Sequence, residues 1–198
     1  MANLIIGCGA LMKEILTLRK INGLEKQLDV MSLPAIYHNH PQKILPALKE
    51  KVASISKGKY EKIYIGYADC GTGGELDRWI EAEGYQRLPG AHCYAFYSGL
   101  EAFDAMAEDT LGTFYLTDYL ARQFDVLIMK GFRLDEKPEL IAMMFSHYTK
   151  LIYLAQSEND KLDLAARAAA QKLGGLAYER IFTGYGELAG FIEQAGEA

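Results

Sequence analysis

Three cysteines, Cys8, Cys70 and Cys93, are the residues of this chain with the widest chemical reach. They sit in GCG at 7–9, DCGTGG at 69–74 and GAHC at 90–93. Thiolates are soft donors that select zinc, cuprous copper or iron–sulfur clusters. Three such ligands without a fourth cysteine describe a site with one open coordination position. A four-iron iron–sulfur cluster would then present one iron to substrate. Zinc would instead draw its fourth ligand from His92, beside Cys93, or from His38 or His40 in the YHNHP segment. Glycines on both sides of Cys8 and after Cys70 remove side-chain bulk and would let the backbone approach a large sulfur-bound group. The competing assignment is structural, because free cysteine is among the most buried residue types.

Around these thiols the chain offers further polar groups. His38 and His40 flank Asn39 in a loop and face one point only if that loop turns. His92 shares a site with Cys93 only at an irregular strand end, since neighbouring strand residues point to opposite faces. Asp69, Gln156 and Tyr185 stand at predicted strand ends, so His38, His92, Asp69, Gln156 and Tyr185 are the candidate catalytic groups around a small substrate. Gly71, Thr72, Gly73 and Gly74 form a glycine-rich turn entering a helix, where successive N–H groups could cradle a phosphate. That turn lacks the lysine of a nucleotide-triphosphate loop, and its plain alternative is a tight turn in which Thr72 caps the helix.

Several elements must bring these residues together. Ala2–Gly7 reads as a buried strand, and Leu11, Ile15, Leu18 and Ile21 fall at helical spacing behind it. A second strand over 28–35, a helix from Pro41 to Gly58, a third strand over 62–67 and a short helix over 75–82 follow, with a fourth strand expected over 86–97. This alternation predicts βαβ units and a mostly parallel sheet with helices on both faces, a Rossmann-like α/β fold. The second half is helix-rich, with helices expected over 100–109, 115–126, 138–149 and 162–173, strands over 150–155 and 178–183, and a last helix from Glu187. No repeat or linker interrupts the chain, so 1–198 reads as one α/β domain, with a sub-boundary near residue 100 as the alternative. Each cysteine then lies at or just past the end of a predicted strand, where open parallel sheets bind ligands.

Composition bounds the chemistry. The chain has 198 residues, half of them hydrophobic, which is ordinary globular composition. A net charge of −5 opposes a phosphate-tracking surface, so nucleic acid is not expected as a partner. Three cysteines without a CxxC spacing do not describe a secreted disulfide framework. Neither a long apolar span nor a leader pattern is evident, so a cytoplasmic protein without a membrane segment is expected. Composition leaves the oligomeric state open.

GCGAL at 7–11, DCGTGG at 69–74, GAHCY at 90–94, GTFYLTD at 112–118, YLAQ at 153–156 and TGYG at 183–186 occur in this order. The set resembles the family called domain of unknown function 1638. The resemblance implies a setting in one-carbon or methylamine metabolism, because such proteins tend to be encoded beside corrinoid-dependent methyltransferases and their corrinoid proteins. It names no reaction.

Three functions are therefore open. The first is a metal- or iron–sulfur-dependent protein with a three-cysteine site, acting on a small molecule by lyase- or transferase-type chemistry. The second is an accessory module without turnover that binds a corrinoid protein or methyltransferase. The third is a metal-free cysteine enzyme using Cys70 at a helix N-terminus, where the helix dipole would lower the thiol pKa.

Overall fold

The computed structural model describes residues 1–109 and 112–197. In chain order its strands are β1 (Asn3–Cys8), β2 (Leu28–Leu33), β3 (Ile63–Gly66), β4 (Gln86–Arg87), β5 (Thr113–Leu116), β6 (Lys150–Ala155) and β7 (Ala177–Phe182). Its α-helices are α1 (Met12–Ile21), α2 (Ile44–Ala53), α3 (Glu75–Glu83), α4 (Tyr94–Ser98), α5 (Leu100–Asp109), α6 (Asp118–Arg122), α7 (Glu139–Phe145), α8 (Asp160–Lys172) and α9 (Glu187–Gly196). A π-helical segment spans Asp125–Lys130. The chain divides into two compact units, residues 1–96 with 185–198, and residues 97–184.

In the first unit the sheet order is β2-β1-β3-β4 and every pair is parallel. The central strand, NLIIGC, is buried from Asn3 to Gly7, the near-continuous apolar run that a sheet covered on both faces requires. Alternation of side chains assigns the two faces. Leu4, Ile6 and Ile65 share one buried cluster with Ile44 and Leu48 of α2 and Leu76 and Ile80 of α3. On the other face the Tyr64 ring meets Phe191 of α9 edge-on, with centroids 5.8 Å apart. Gly7 also faces α1, where a Cβ would lie 2.9 Å from both Ile15 Cδ1 and Met12 Cε. The last helix is tied to the first strand through Asn3, whose Nδ2 donates to the carbonyls of Ala195 at 2.9 Å and Glu197 at 3.1 Å.

The second unit has its own parallel sheet, β5-β6-β7. Leu151 to Ala155 are buried along β6. Asn159 caps α8 by accepting the N–H groups of Lys161 and Leu162, and buried Leu162, Ala166, Ala169 and Ala170 mark the helix face that packs inward. Gly112 precedes β5 at φ +89°, and a Cβ there would lie 2.2 Å from the His147 carbonyl oxygen, so this corner accepts only glycine. The fold is thus α/β with two wholly parallel sheets. Among the described residues, no helix is long and apolar enough to cross a membrane.

Three segments differ from the sequence reading. The strand expected over 86–97 is only Gln86–Arg87, and Tyr94–Ser98 is helical. Pro89 has no N–H for a ladder and Gly90 takes φ +126°, so pairing stops there, whatever the strand preference of the aromatic run behind it. The helix expected over 115–126 begins instead as β5, which pairs with β6 from Thr113 to Leu116. Thr117 then caps α6 by accepting the N–H of Leu120, and that capping hydroxyl marks where strand gives way to helix. The helix expected over 138–149 ends at Phe145, since the Thr149 N–H already donates to Gly112 at the start of the sheet.

Candidate active-edge site

The C-terminal ends of β1 and β3 adjoin in the first sheet, and the sheet order changes direction between them. Cys8 ends β1 and closes the 3-10 turn Gly9–Leu11 by accepting the Ala10 N–H at 3.5 Å. Tyr67, Ala68, Asp69 and Cys70 continue β3 past its last paired residue, Gly66. This segment is laced to the chain beyond β4, where the N–H of Asp69 donates to Gly90 at 3.0 Å and that of Cys70 to Ala91 at 2.8 Å. Cys93 follows, six residues past β4 and just before α4, so it reaches the edge through a loop and not as a strand end. The backbone amide of Cys93 lies near the Cys70 sulfur and draws its pKa down against burial.

All three thiols are held in the protonated form. Burial pushes Cys8 above its ordinary value, against the opposing pull of the Ala10 amide and the Tyr67 hydroxyl. Burial and then the charge of Cys8 push Cys70 up to about 12. Cys93 is raised well above its ordinary value, by burial and then by the charges of Cys70 and Cys8. No arginine or lysine enters any of these balances, and the hydrogen bonds that oppose desolvation of a thiolate do not outweigh it. Tyr67 is 2% exposed. Its hydroxyl makes no hydrogen bond of good geometry and faces Cys8 at a range where each perturbs the other's ionisation. His38, in the turn Ala35–Asn39 after β2, is kept neutral by burial and by the nearby His92. His92 is solvent-exposed on the loop beyond β4.

The expected metal centre is overturned. Among the described residues, no group of three or more His, Cys, Asp or Glu side chains is arranged to hold a metal ion. Cys8, Cys70 and Cys93 share an edge without closing on one point, so neither zinc nor an iron–sulfur cluster has its ligand set here. The physical reason lies in the loops, which turn the sulfurs of Cys8 and Cys70 toward the backbone amides of Ala10 and Cys93. The glycines have another use as well. Gly7 admits α1, and a Cβ on Gly9 would meet the Ala35 nitrogen and Leu33 oxygen at 2.9 Å. The expected low pKa of Cys70 is reversed, because its sulfur is desolvated and it lies five residues before α3 begins at Glu75.

The turn at 69–74 holds an anion of its own. The Asp69 carboxylate accepts the Thr72 hydroxyl at 2.6 Å and the N–H groups of Gly74 at 2.8 Å and Gly73 at 3.2 Å. Burial raises the Asp69 pKa, but these donors, with the amide of Gly71, outweigh it and hold the carboxyl below its ordinary value. The donors of Gly71, Thr72, Gly73 and Gly74 expected to cradle a phosphate therefore face Asp69. Thr72 does not cap α3, whose first residue follows Gly74 at φ +77°.

Tyr185 sits half-buried in the first unit between Gly184 and Gly186, just ahead of α9. Gln156 belongs to the second unit, at the end of β6. Its Oε1 accepts the Asp118 N–H at 2.8 Å and its Nε2 donates to the Leu154 carbonyl at 2.6 Å. Those two bonds fix the amide within the sheet that carries it. Sequence reasoning missed Tyr67, which stands in an apolar strand run as an ordinary packing tyrosine. The signal available was its position one residue past Gly66, on the same edge as Cys8.

By fold and site, then, this is a parallel α/β protein whose first sheet gathers uncharged thiols, a phenol and an imidazole outside its strand ends. The chain belongs to the family described as Protein of unknown function (DUF1638), which matches residues 32–192. No curated protein and no solved structure matches the chain.

Proposed function

We propose that the first unit binds an uncharged small molecule outside the ends of β1 and β3, received by Tyr67 and bounded by Cys8, His38, Cys70, His92 and Cys93. The observation that carries this reading is the Tyr67 hydroxyl, a buried donor without a well-formed hydrogen bond at an edge where every thiol is neutral. A buried hydroxyl without a partner costs about 1–3 kcal/mol, and a ligand carbonyl or similar acceptor would recover it. An anionic ligand is disfavoured because the amides of 73–74 already serve Asp69 and the thiols of this edge are uncharged. The order β2-β1-β3-β4 supports a Rossmann-like reading of this unit, since ligands of such sheets bind where the order reverses.

The test is a matched set of small carboxamides and their isosteric carboxylates, followed by ligand-observed NMR on the full chain. Carboxamides should bind the wild type, carboxylates should not, and Tyr67→Phe should abolish the difference. Preference for carboxylates, no binding by either set, or unchanged binding in Tyr67→Phe would overturn the reading. The resemblance supports a corrinoid protein or methyltransferase as partner. Co-purification at low salt tests that partner, and its absence from native extract would remove it.

A further inference from the structure

We propose that Cys70 and Cys93 are a redox pair that closes to a disulfide by exchange with a small uncharged disulfide, tying the loop after β3 to the loop after β4. This goes beyond ligand binding at the same edge and does not depend on it.

Three observations carry the pairing. The two loops are already joined by the bonds from Asp69 to Gly90 and from Cys70 to Ala91, which place residue 93 two positions beyond a fixed point. The backbone amide of Cys93 lies near enough to the Cys70 sulfur to pull its pKa down against burial, and of the other two thiols Cys70 acts on Cys93 the more strongly. Within one cysteine, Sγ is separated from N by only two intervening atoms, so rotation about Cα–Cβ of Cys93 moves its sulfur around an amide that already lies near Cys70. Finally, Cys70 holds φ +50°, one of only two non-glycine residues with positive φ among those described. A non-glycine residue in that region costs about 1 kcal/mol or more, and such strain collects where a side chain must be aimed.

Cys8 is the rival partner, and the geometry places it second. Its sulfur accepts the Ala10 N–H within its own turn, and its charge acts on Cys93 less than that of Cys70 does. The exchange balances in two steps. The Cys70 sulfur, after losing its proton to solvent, attacks the small disulfide and releases one small thiol, leaving a mixed disulfide. The Cys93 sulfur then attacks the Cys70 sulfur and releases the second small thiol. The two protein thiols lose two electrons and two protons, and one small disulfide becomes two small thiols. Burial of both sulfurs slows the exchange in both directions without changing its products.

The experiment incubates the full chain under native conditions with hydroxyethyl disulfide and reads intact mass and peptide maps. The expected product is lighter by two hydrogens, carries no adduct, links Cys70 to Cys93 and reopens with dithiothreitol. Cys8→Ser should form the same link, and Cys93→Ser should stop at a stable adduct on Cys70. A Cys8–Cys70 link, stable adducts on the wild-type protein, or reaction only after unfolding in urea would each overturn the proposal.

Discussion

Iodoacetamide at pH 7 should label Cys70 of the folded protein at least about 100-fold more slowly than an exposed thiol, and Cys8 and Cys93 more slowly than an exposed thiol as well. For Cys70, held near 12, the reasoning is quantitative. At neutral pH its thiolate fraction is about 10⁻⁵, against about 10⁻² to 10⁻¹ for an ordinary thiol of pKa near 8.5. The greater intrinsic nucleophilicity of a high-pKa thiolate recovers roughly one and a half orders of magnitude of that deficit and leaves about two. The sign of the pH dependence follows from the raised pKa. An exposed thiol reaches its limiting rate soon above pH 8.5, whereas the rate at Cys70 should keep rising about tenfold per pH unit beyond that point. Quantitative mass spectrometry of trypsin-digested protein reads all three sites at once, and labelling in urea supplies the unfolded rate. Rapid alkylation confined to Cys70 at pH 7 would reinstate a thiolate catalyst and sink the reading of the edge as neutral.

Asp118→Ala should remove about 3–5 kcal/mol of stability, the largest loss expected from any single polar substitution in the second unit. Asp118 is 1% exposed at the start of α6, two residues past β5, where its Oδ1 accepts the Tyr153 hydroxyl at 2.6 Å and the Gln156 N–H at 2.9 Å. Its Oδ2 accepts the hydroxyl of Ser157, and its own N–H donates to the Gln156 side chain. Alanine leaves three donors facing a cavity, and each buried unsatisfied donor costs about 1–3 kcal/mol. Tyr153 is fully buried and cannot turn to water, while half-buried Ser157 can, which is why the sum falls short of three full penalties. Asp118→Asn keeps an acceptor for Tyr153 and Gln156 and should lose only about 1–2 kcal/mol. Urea midpoints at constant slope measure both. A loss below about 1 kcal/mol for Asp118→Ala would show that water replaces the carboxylate and that the network does not hold β5 to β6.

Much of the architecture was legible in the chain. NLIIG between polar and glycine boundaries, helical spacing after it, and KLIYLA followed by a capped alanine-rich helix all state parallel α/β units, because strand and helix periods differ and buried parallel strands are apolar throughout. The errors fell where local preference and long-range pairing compete. TFYL at 113–116 suits a strand, but only its pairing with Lys150–Tyr153 makes it one. YAFY at 94–97 suits a strand equally well, and with no ladder to join it became helix.

The candidate site divides along the same line. Residue order and type were sufficient to place Cys8 and Cys70 on one sheet edge, since a parallel sheet gathers its strand ends whatever their separation in sequence. Their chemistry depended on tertiary packing. A thiol becomes a ligand or nucleophile only as a thiolate, and its charge state is set by how much water and how many cations surround it. Folding supplied burial and the mutual repulsion of neighbouring thiols, which outweigh the backbone amides near the sulfurs. In the same way DCGTGG advertises anion-binding amides, while the folded turn directs them to Asp69, the first residue of the motif itself. Sequence names which groups meet at an edge, and three-dimensional solvation decides what those groups can do.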